Sequence, residues 1–413
     1  MSPTAVATAR IPGSKSITNR ALLLAAAARG TTALGSPLVS DDTLAFRTAL
    51  TDLGTSVRAT PDDTRWEITG SGHGPRSGGR VWCADAGTAA RFLPPYAATG
   101  HGTFTFDGSA QLRARPLAPL ADALGRLGAG VAGDGALPLT LTADGLAGGR
   151  IALDSSLSSQ YLTGLLMAAP LMAQGLTVEA SSLVSRPYID MTLALMRHFG
   201  ARTAERDGVI TVAPGGYRAA DLVVEPDAST ASYVFAAAAV TGTTVTVPGL
   251  GRGSLQGDLR FVEALRRAGA GVEIGESATT VTGAGPLRGG FTLDMGEISD
   301  TFMTLAAIAP LADAPITLTG IAHARLKESD RIAAVAENLR ACGIRTEEAA
   351  DRITVHPGSP RPARIACRRD HRIAMAFSVL GLAAPGVITL DDPGCVAKTF
   401  PGFHAEMARL FPS

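Results

Sequence analysis

The chain has 413 residues, more than a single core usually serves, so two domains are expected. Hydrophobic residues make up 46% of it, and 37 Lys and Arg balance 37 Asp and Glu. That balance gives no electrostatic case for nucleic acid or an acidic membrane surface as partner, while leaving room for a local cationic pocket.

Four cysteines, Cys83, Cys342, Cys367 and Cys395, lack the close spacing of a zinc site or a disulfide framework, so free thiols in a reducing compartment are expected. Residues 1–12 contain no continuous apolar run of the leader-peptide kind. The longer apolar stretches are too short to span a bilayer or contain proline. A soluble cytoplasmic protein is the resulting expectation.

In chain order, six polar or charged clusters run directly into Ala- and Leu-rich stretches, at Lys15, Gly87, Gln160, Asp227, Asp300 and Arg372. Their successive intervals are 72, 73, 67, 73 and 72 residues, which marks an internal repeat. The apolar stretches, 21–28, 89–98, 161–173, 231–240, 302–312 and 373–384, have no polar face and predict helices buried inside their domains. Polar residues at the starts of such helices gather where unpaired N–H groups and the helix dipole favour anions.

Between the clusters a second marker recurs: an amphipathic segment ending in glycine, at Gly54, Gly128, Gly200, Gly269 and Gly343. Glycine just past the last apolar residue is a helix stop. Short β-branched stretches at 208–212, 243–247, 278–281 and 353–356 predict strands. One repeat therefore reads as a buried helix, strands, an amphipathic helix and more strands. Six copies make an α/β protein, with the best domain boundary at 223–226.

The chemistry-bearing residues cluster at the repeat starts. Lys15, Ser16 and Arg20 fall at the first, in a segment without the Walker glycine spacing. Arg113 and Arg115 lie in 107–116. Glu328 stands between Lys327 and Arg331, which on a helix form an i,i+4 pair of the solvated kind. Asp370, His371 and Arg372 head the last buried helix, and Lys398 follows. So many cations beside nearly uncharged helices point to one focused anion site.

Together these segments resemble the enolpyruvyl transferases, from Ile11 to about Phe403. The likeness is carried by 12–20, 86–91, 113–116, 158–160, 185–190, 225–233, Asp300, 327–331, 370–372 and 398–401. It implies two similar domains of three repeated α/β units with buried helices, an inverse α/β barrel-like arrangement. The expected domains are 14–225, and 1–13 with 226–413, with the active site in the cleft between them. The branch of the family resembled most moves the enolpyruvyl group of phosphoenolpyruvate to the 5-hydroxyl of shikimate 3-phosphate by addition and elimination, releasing phosphate.

By resemblance, Lys15, Ser16, Arg20, Ser158, Ser159, Ser185, Tyr188, Asp300 and Lys327 bind shikimate 3-phosphate. Lys15, Gly87, Arg115, Gln160, Arg331, Arg372 and Lys398 bind phosphoenolpyruvate, and Lys15, Asp300, Lys327 and Glu328 are catalytic. Asp300 is the candidate base for the hydroxyl, with Glu328 and Lys327 handling the proton at the enolpyruvyl carbon. No metal or cofactor, no nucleic acid and no membrane are expected, and a monomer suffices. Asp85 and His323 stand where the family commonly has Asn, and Phe92 where Pro is common; the Asp85 carboxylate adds negative charge near the donor. Two alternatives stay open: another acceptor, such as a UDP-sugar or a nucleotide, and a catalytically silent phosphometabolite-binding protein. Trp66 and Trp82 are expected to anchor packing.

Overall fold

The computed structural model describes residues 6–412, so the expectation for the first twelve residues lies partly outside the described residues. The six apolar stretches are all helical: Lys15–Ala27, Gly87–Ala98, Ser159–Ala168, Ala228–Thr241, Phe302–Ile308 and His371–Ala383. Every residue of Gly87–Ala98 and of Phe302–Ile308 is buried, and the others bury most of theirs. The helices begin earlier than the apolar stretches because polar caps start them. Ser14, Ser158, Asp227 and Asp370 each accept a backbone N–H from the first turn.

Two helices are shorter than expected. Ser159–Ala168 and Phe302–Ile308 pass into tight single turns, Ala169–Leu171 and Ala309–Leu311. Pro170 and Pro310 explain this, since proline supplies no N–H and disfavours helix in the residue before it. Ala28, expected in the first helix, opens the strand Ala28–Gly35 instead.

The repeat is clearest over 79–144. Strand Gly79–Trp82 leads through helix Gly87–Ala98 to strand His101–Asp107, which lies parallel to it. Amphipathic helix Ala118–Arg126 follows, then a hairpin of Gly130–Ala132 and Leu139–Asp144 that adds antiparallel to His101–Asp107. The same strand order recurs over 149–212 and 291–355. The strands alternate buried and exposed residues, as in Arg65–Ser71, so each sheet turns one face to its helices and one to water. The final repeat keeps only the parallel pair Ala363–Ile365 and Ile388–Leu390. All five marker glycines take positive φ, between 76° at Gly343 and 106° at Gly128, a conformation costly for other residues.

Close contacts divide the chain into two units, Gly13–Val224 and a second holding Glu225 onward with the amino-terminal segment up to Pro12. In each unit the first repeat borrows its leading strand. Strand Ala28–Gly35 pairs in parallel with Tyr217–Arg218 and Leu222–Val223 from the far end of its own unit. Strand Thr244–Pro248 pairs with Val6–Thr8, which draws the amino-terminal segment into the second unit. Each unit has its own hydrophobic core.

Packing inside Gly13–Val224 sets three buried helices close together. Pro94 and Pro95 sit within Gly87–Ala98, and Pro95 leaves the Arg91 carbonyl without its helical donor. A Cβ at Gly164 would come 2.3 Å from that oxygen, so glycine lets the Ser159–Ala168 backbone close over it.

Candidate active site

In the Gly13–Val224 unit, the starts of the three buried helices are tied to one another. Asn19 Nδ2 donates to Thr88 Oγ1 at 2.8 Å, and the Arg91 guanidinium stands 5.7 Å from the Tyr161 ring. Lys15 opens the first helix with its ammonium 3.2 Å from Asp42 Oδ2, both side chains mostly buried. Arg20, one turn on, is buried without a carboxylate among the described residues. It donates through Nε to Thr192 Oγ1 at 2.8 Å and through Nη1 and Nη2 to the carbonyls of Ser16 and Tyr188 at 3.0 and 3.4 Å. Burial pulls its pKa down to about 10, with Tyr188 acting weakly the other way.

Phe92 now has a physical role. Its ring lies 5.2 Å from the Arg20 guanidinium and meets Phe46 edge-on, giving the cation an aromatic floor. Asp85 accepts from the Ser109 hydroxyl in the loop before Gly87–Ala98. Arg113 is bound by Asp107 through two hydrogen bonds of 2.8 and 2.6 Å, so of the two arginines in this loop its charge is already answered. Arg115 differs. It is buried, its side chain makes no hydrogen bond to a described residue, and it lies so close to Gly87 that a Cβ there would fall 2.5 Å from Nη1. A guanidinium held at the positive end of a helix is unfavourable by itself and becomes favourable with an anion between them.

The three serines come from neighbouring loops. Strands Gly149–Asp154 and Leu176–Ser181 run parallel with Asp154 opposite Ser181, and the Ser155 N–H continues the ladder to the Ser181 carbonyl at 3.1 Å. The loops that follow carry Ser158 and Ser159 on one side and Ser185 on the other. Ser159 is buried at the first helical position, and Gln160 Oε1 is buried without a hydrogen-bond partner among the described residues. Ser185 sits at φ 54°, a strained conformation for serine, just before helix Arg186–His198 that carries Tyr188.

In the second unit a different arrangement appears. Arg331 is buried and grips three carboxylates: Nε to Asp370 at 2.9 Å, Nη1 to Asp300 at 2.9 Å and Nη2 to Glu328 at 2.7 Å. Asp300 also receives Arg372 Nη2 at 2.8 Å. Burial alone would raise the Asp300 carboxyl, but Arg372, Arg331 and Lys327 together hold it well below the usual carboxylate range. Lys327 and Arg331 do not share a helix face: residues 327–330 are non-helical, and Asp330 caps helix Arg331–Ala341 from outside it. The i,i+4 pair that a helix would have made of them is therefore not formed. Lys398 is buried at the end of the turn Pro393–Lys398, which packs on His371–Ala383.

A family model described as EPSP synthase (3-phosphoshikimate 1-carboxyvinyltransferase) matches residues 4–407. The chain belongs to the EPSP synthase family. A 3-phosphoshikimate 1-carboxyvinyltransferase of Nostoc punctiforme is 42% identical over 411 residues, covering 98% of this chain and 96% of that one. Among solved structures, an EPSP synthase from Acinetobacter baumannii superposes with a TM-score of 0.81 at 27% identity, covering 99% of this chain and 96% of the other. The enolpyruvyl transferase NikO from Streptomyces tendae shares the fold, with a TM-score of 0.80 at 20% identity over 98% and 94% of the two chains.

Two features of this EPSP synthase family member were hidden from the sequence. Asp370 reads there only as part of the cluster heading a buried helix, yet it caps that helix and accepts from Arg331 and, at 3.0 Å, from Ser329. Asp258 lies buried at the start of Ala228–Thr241, hydrogen-bonded by Ser229, and its carboxyl is pushed up to about 6 by burial and by Asp300. His323 packs beside Asp300, its Nε2 2.7 Å from Ser299 Oγ, and burial with Lys327 lowers it to about 4. Trp66 is fully buried as expected, whereas Trp82 is 53% exposed. Trp82 ends an edge strand whose residues alternate between faces, and its position falls on the outer one.

Proposed function

We infer that this chain transfers the enolpyruvyl group of phosphoenolpyruvate to the 5-hydroxyl of shikimate 3-phosphate, releasing phosphate, as its family membership implies. The observation that carries the residue-level reading is the Arg331 guanidinium shared by Asp300, Glu328 and Asp370. Two acid–base carboxylates are held against cations of the kind that a carboxylated, phosphorylated donor recruits.

In this reading Ser158, Ser159 and Ser185 hold the acceptor's phosphate, and Ser16, Arg20 and Tyr188 its remaining polar groups. Arg115 at Gly87, with Gln160, Arg331, Arg372, Lys398 and Lys15, surrounds the donor. Asp300 takes the hydroxyl proton as the oxygen attacks C2, while Glu328 with Lys327 delivers a proton to C3. The tetrahedral adduct then loses phosphate and a methyl proton, and the surrounding cations stabilise the charge on the departing phosphate. Both sets of residues serve one ligand pair in this reading, and a monomer in the cytoplasm suffices for the activity. No helix among the described residues is long and apolar enough to cross a membrane.

The experiment is phosphate release by the purified protein with both substrates and with each alone, with mass detection of the product. Release that requires both, with the enolpyruvyl ether of shikimate 3-phosphate formed, is the expected result. Folded protein that turns over only with a different acceptor, or not at all, overturns the assignment.

A further inference from the structure

The carboxylates on Arg331 are not equivalent. Asp370 has no exposed side-chain surface, caps helix His371–Ala383 through the Arg372 N–H at 3.0 Å, and accepts from Ser329 and Arg331 besides. It is an anchor. Glu328 and Asp300 keep 10% and 20% exposure and occupy the two outer donors of the same fork, Nη2 and Nη1. Asp300 extends the pattern by taking Arg372 Nη2 as well, so a carboxylate of the protein itself occupies a donor on each arginine.

We propose that Asp300 and Glu328 are exchangeable occupants of the Arg331 and Arg372 forks, and that an anionic donor displaces them, freeing each carboxylate for proton transfer only once the ligand is in place. The inference rests on the function proposed above and adds to it a coupling between anion binding and acid–base readiness.

The physical reason lies in what a base must do. A carboxylate pinned by two arginines has little affinity for protons and is a poor acceptor for a hydroxyl proton. When the forks turn to a ligand's carboxylate and phosphate, Asp300 loses two cations and gains negative neighbours in a buried setting, and each change raises its proton affinity. The other charged or titratable groups acting on it are Lys327, which opposes that rise, and Glu328, which assists it. Asp258 and His323 also sense Asp300. Asp258 already holds its proton more firmly because of its burial and its neighbour's charge, which lets Asp300 stay ionised while the arginines hold it.

Exchange of this kind makes anion binding take up protons, so affinity rises as pH falls. The test is calorimetric titration of the whole protein with sulfate, which keeps its charge over the range used, comparing wild type with Asp300→Asn and Glu328→Gln. Removing a competing carboxylate while keeping its shape should tighten sulfate binding at neutral pH by about tenfold for Asp300→Asn and about threefold for Glu328→Gln. Wild-type affinity should increase from about pH 8 to about pH 5, more steeply than that of Asp300→Asn. Equal sulfate affinity in all three proteins overturns the exchange. If Asp300→Asn does not fold, unchanged affinity in Glu328→Gln overturns it alone. Phosphate release is measured separately, so failure of the coupling and failure of the proposed function are told apart.

Discussion

The two units treat their arginines in opposite ways. In Gly13–Val224, Arg20 and Arg115 are buried with no carboxylate partner among the described residues, one resting on aromatic rings and carbonyls and the other against a helix start. In the second unit, Arg331 is shared by Asp300, Glu328 and Asp370, and Arg372 is held by Asp300. A buried cation without a counterion is costly unless a ligand supplies one, which is the signature of a binding surface. A buried cation shared among several carboxylates is the signature of a place where protons and charges are rearranged. In the function proposed above, Arg20 and Arg115 serve recognition alone, while Arg331 serves both the donor and the carboxylates that move protons.

The largest effect that would break this contrast comes from Glu328→Gln. It keeps the hydrogen-bonding shape and removes a proton-transfer group, so turnover should fall by ~10²-fold or more while the donor KM changes little. Steady-state kinetics reads it; unchanged turnover removes Glu328 from the chemistry. Next comes Asp370→Asn, which should leave Arg331 under-compensated and destabilise the protein by roughly 3–5 kcal/mol, measured by denaturant unfolding. A loss below ~1 kcal/mol would show that Asp370 is not the anchor described above.

Gly87→Ala sharpens the recognition side. Its Cβ would strike the end of a flexible side chain, Arg115 Nη1, rather than backbone, so the fold should persist while the guanidinium moves. The donor KM should rise by about tenfold with the acceptor KM unchanged. Equal effects on both would dissociate Arg115 from the donor.

The smallest effect belongs to His323. Its folded pKa of about 4 lies below the ordinary value of 6.5, so the neutral ring contributes stability that is complete above about pH 6.5 and lost as pH falls towards 4. Asp258, raised to about 6, contributes with the opposite sign in an overlapping window. The comparison is therefore between wild type and His323→Asn, whose unfolding midpoints should diverge most above pH 6.5 and converge towards pH 4. A constant gap would mean that His323 does not titrate against its burial.

The repeat was legible because its two markers are local: a polar cap entering an all-apolar helix, and a glycine that must adopt positive φ. Cap residues such as Asp370 carry the same sequence signal whether or not they also hold an arginine, so the Arg331 cluster was legible only as separate charges. The helix ends at Pro170 and Pro310 had a sequence signal, yet uninterrupted hydrophobicity on both sides outweighed it in a reading by periodicity. Arg113 and Arg115 are indistinguishable as neighbouring cations in the sequence; only the position of Asp107 on the adjacent strand separates them. Phe92 and Asp85 read as departures until Arg20 and Ser109 were seen against them.

The borrowed strand Val6–Thr8 has a consequence for synthesis. It is made before Gly13–Val224, yet its partner, Thr244–Thr246, follows only after the whole of that unit. That intervening unit is contiguous and can close with its own residues, so the strand finds its partner only after a whole unit has been made between them.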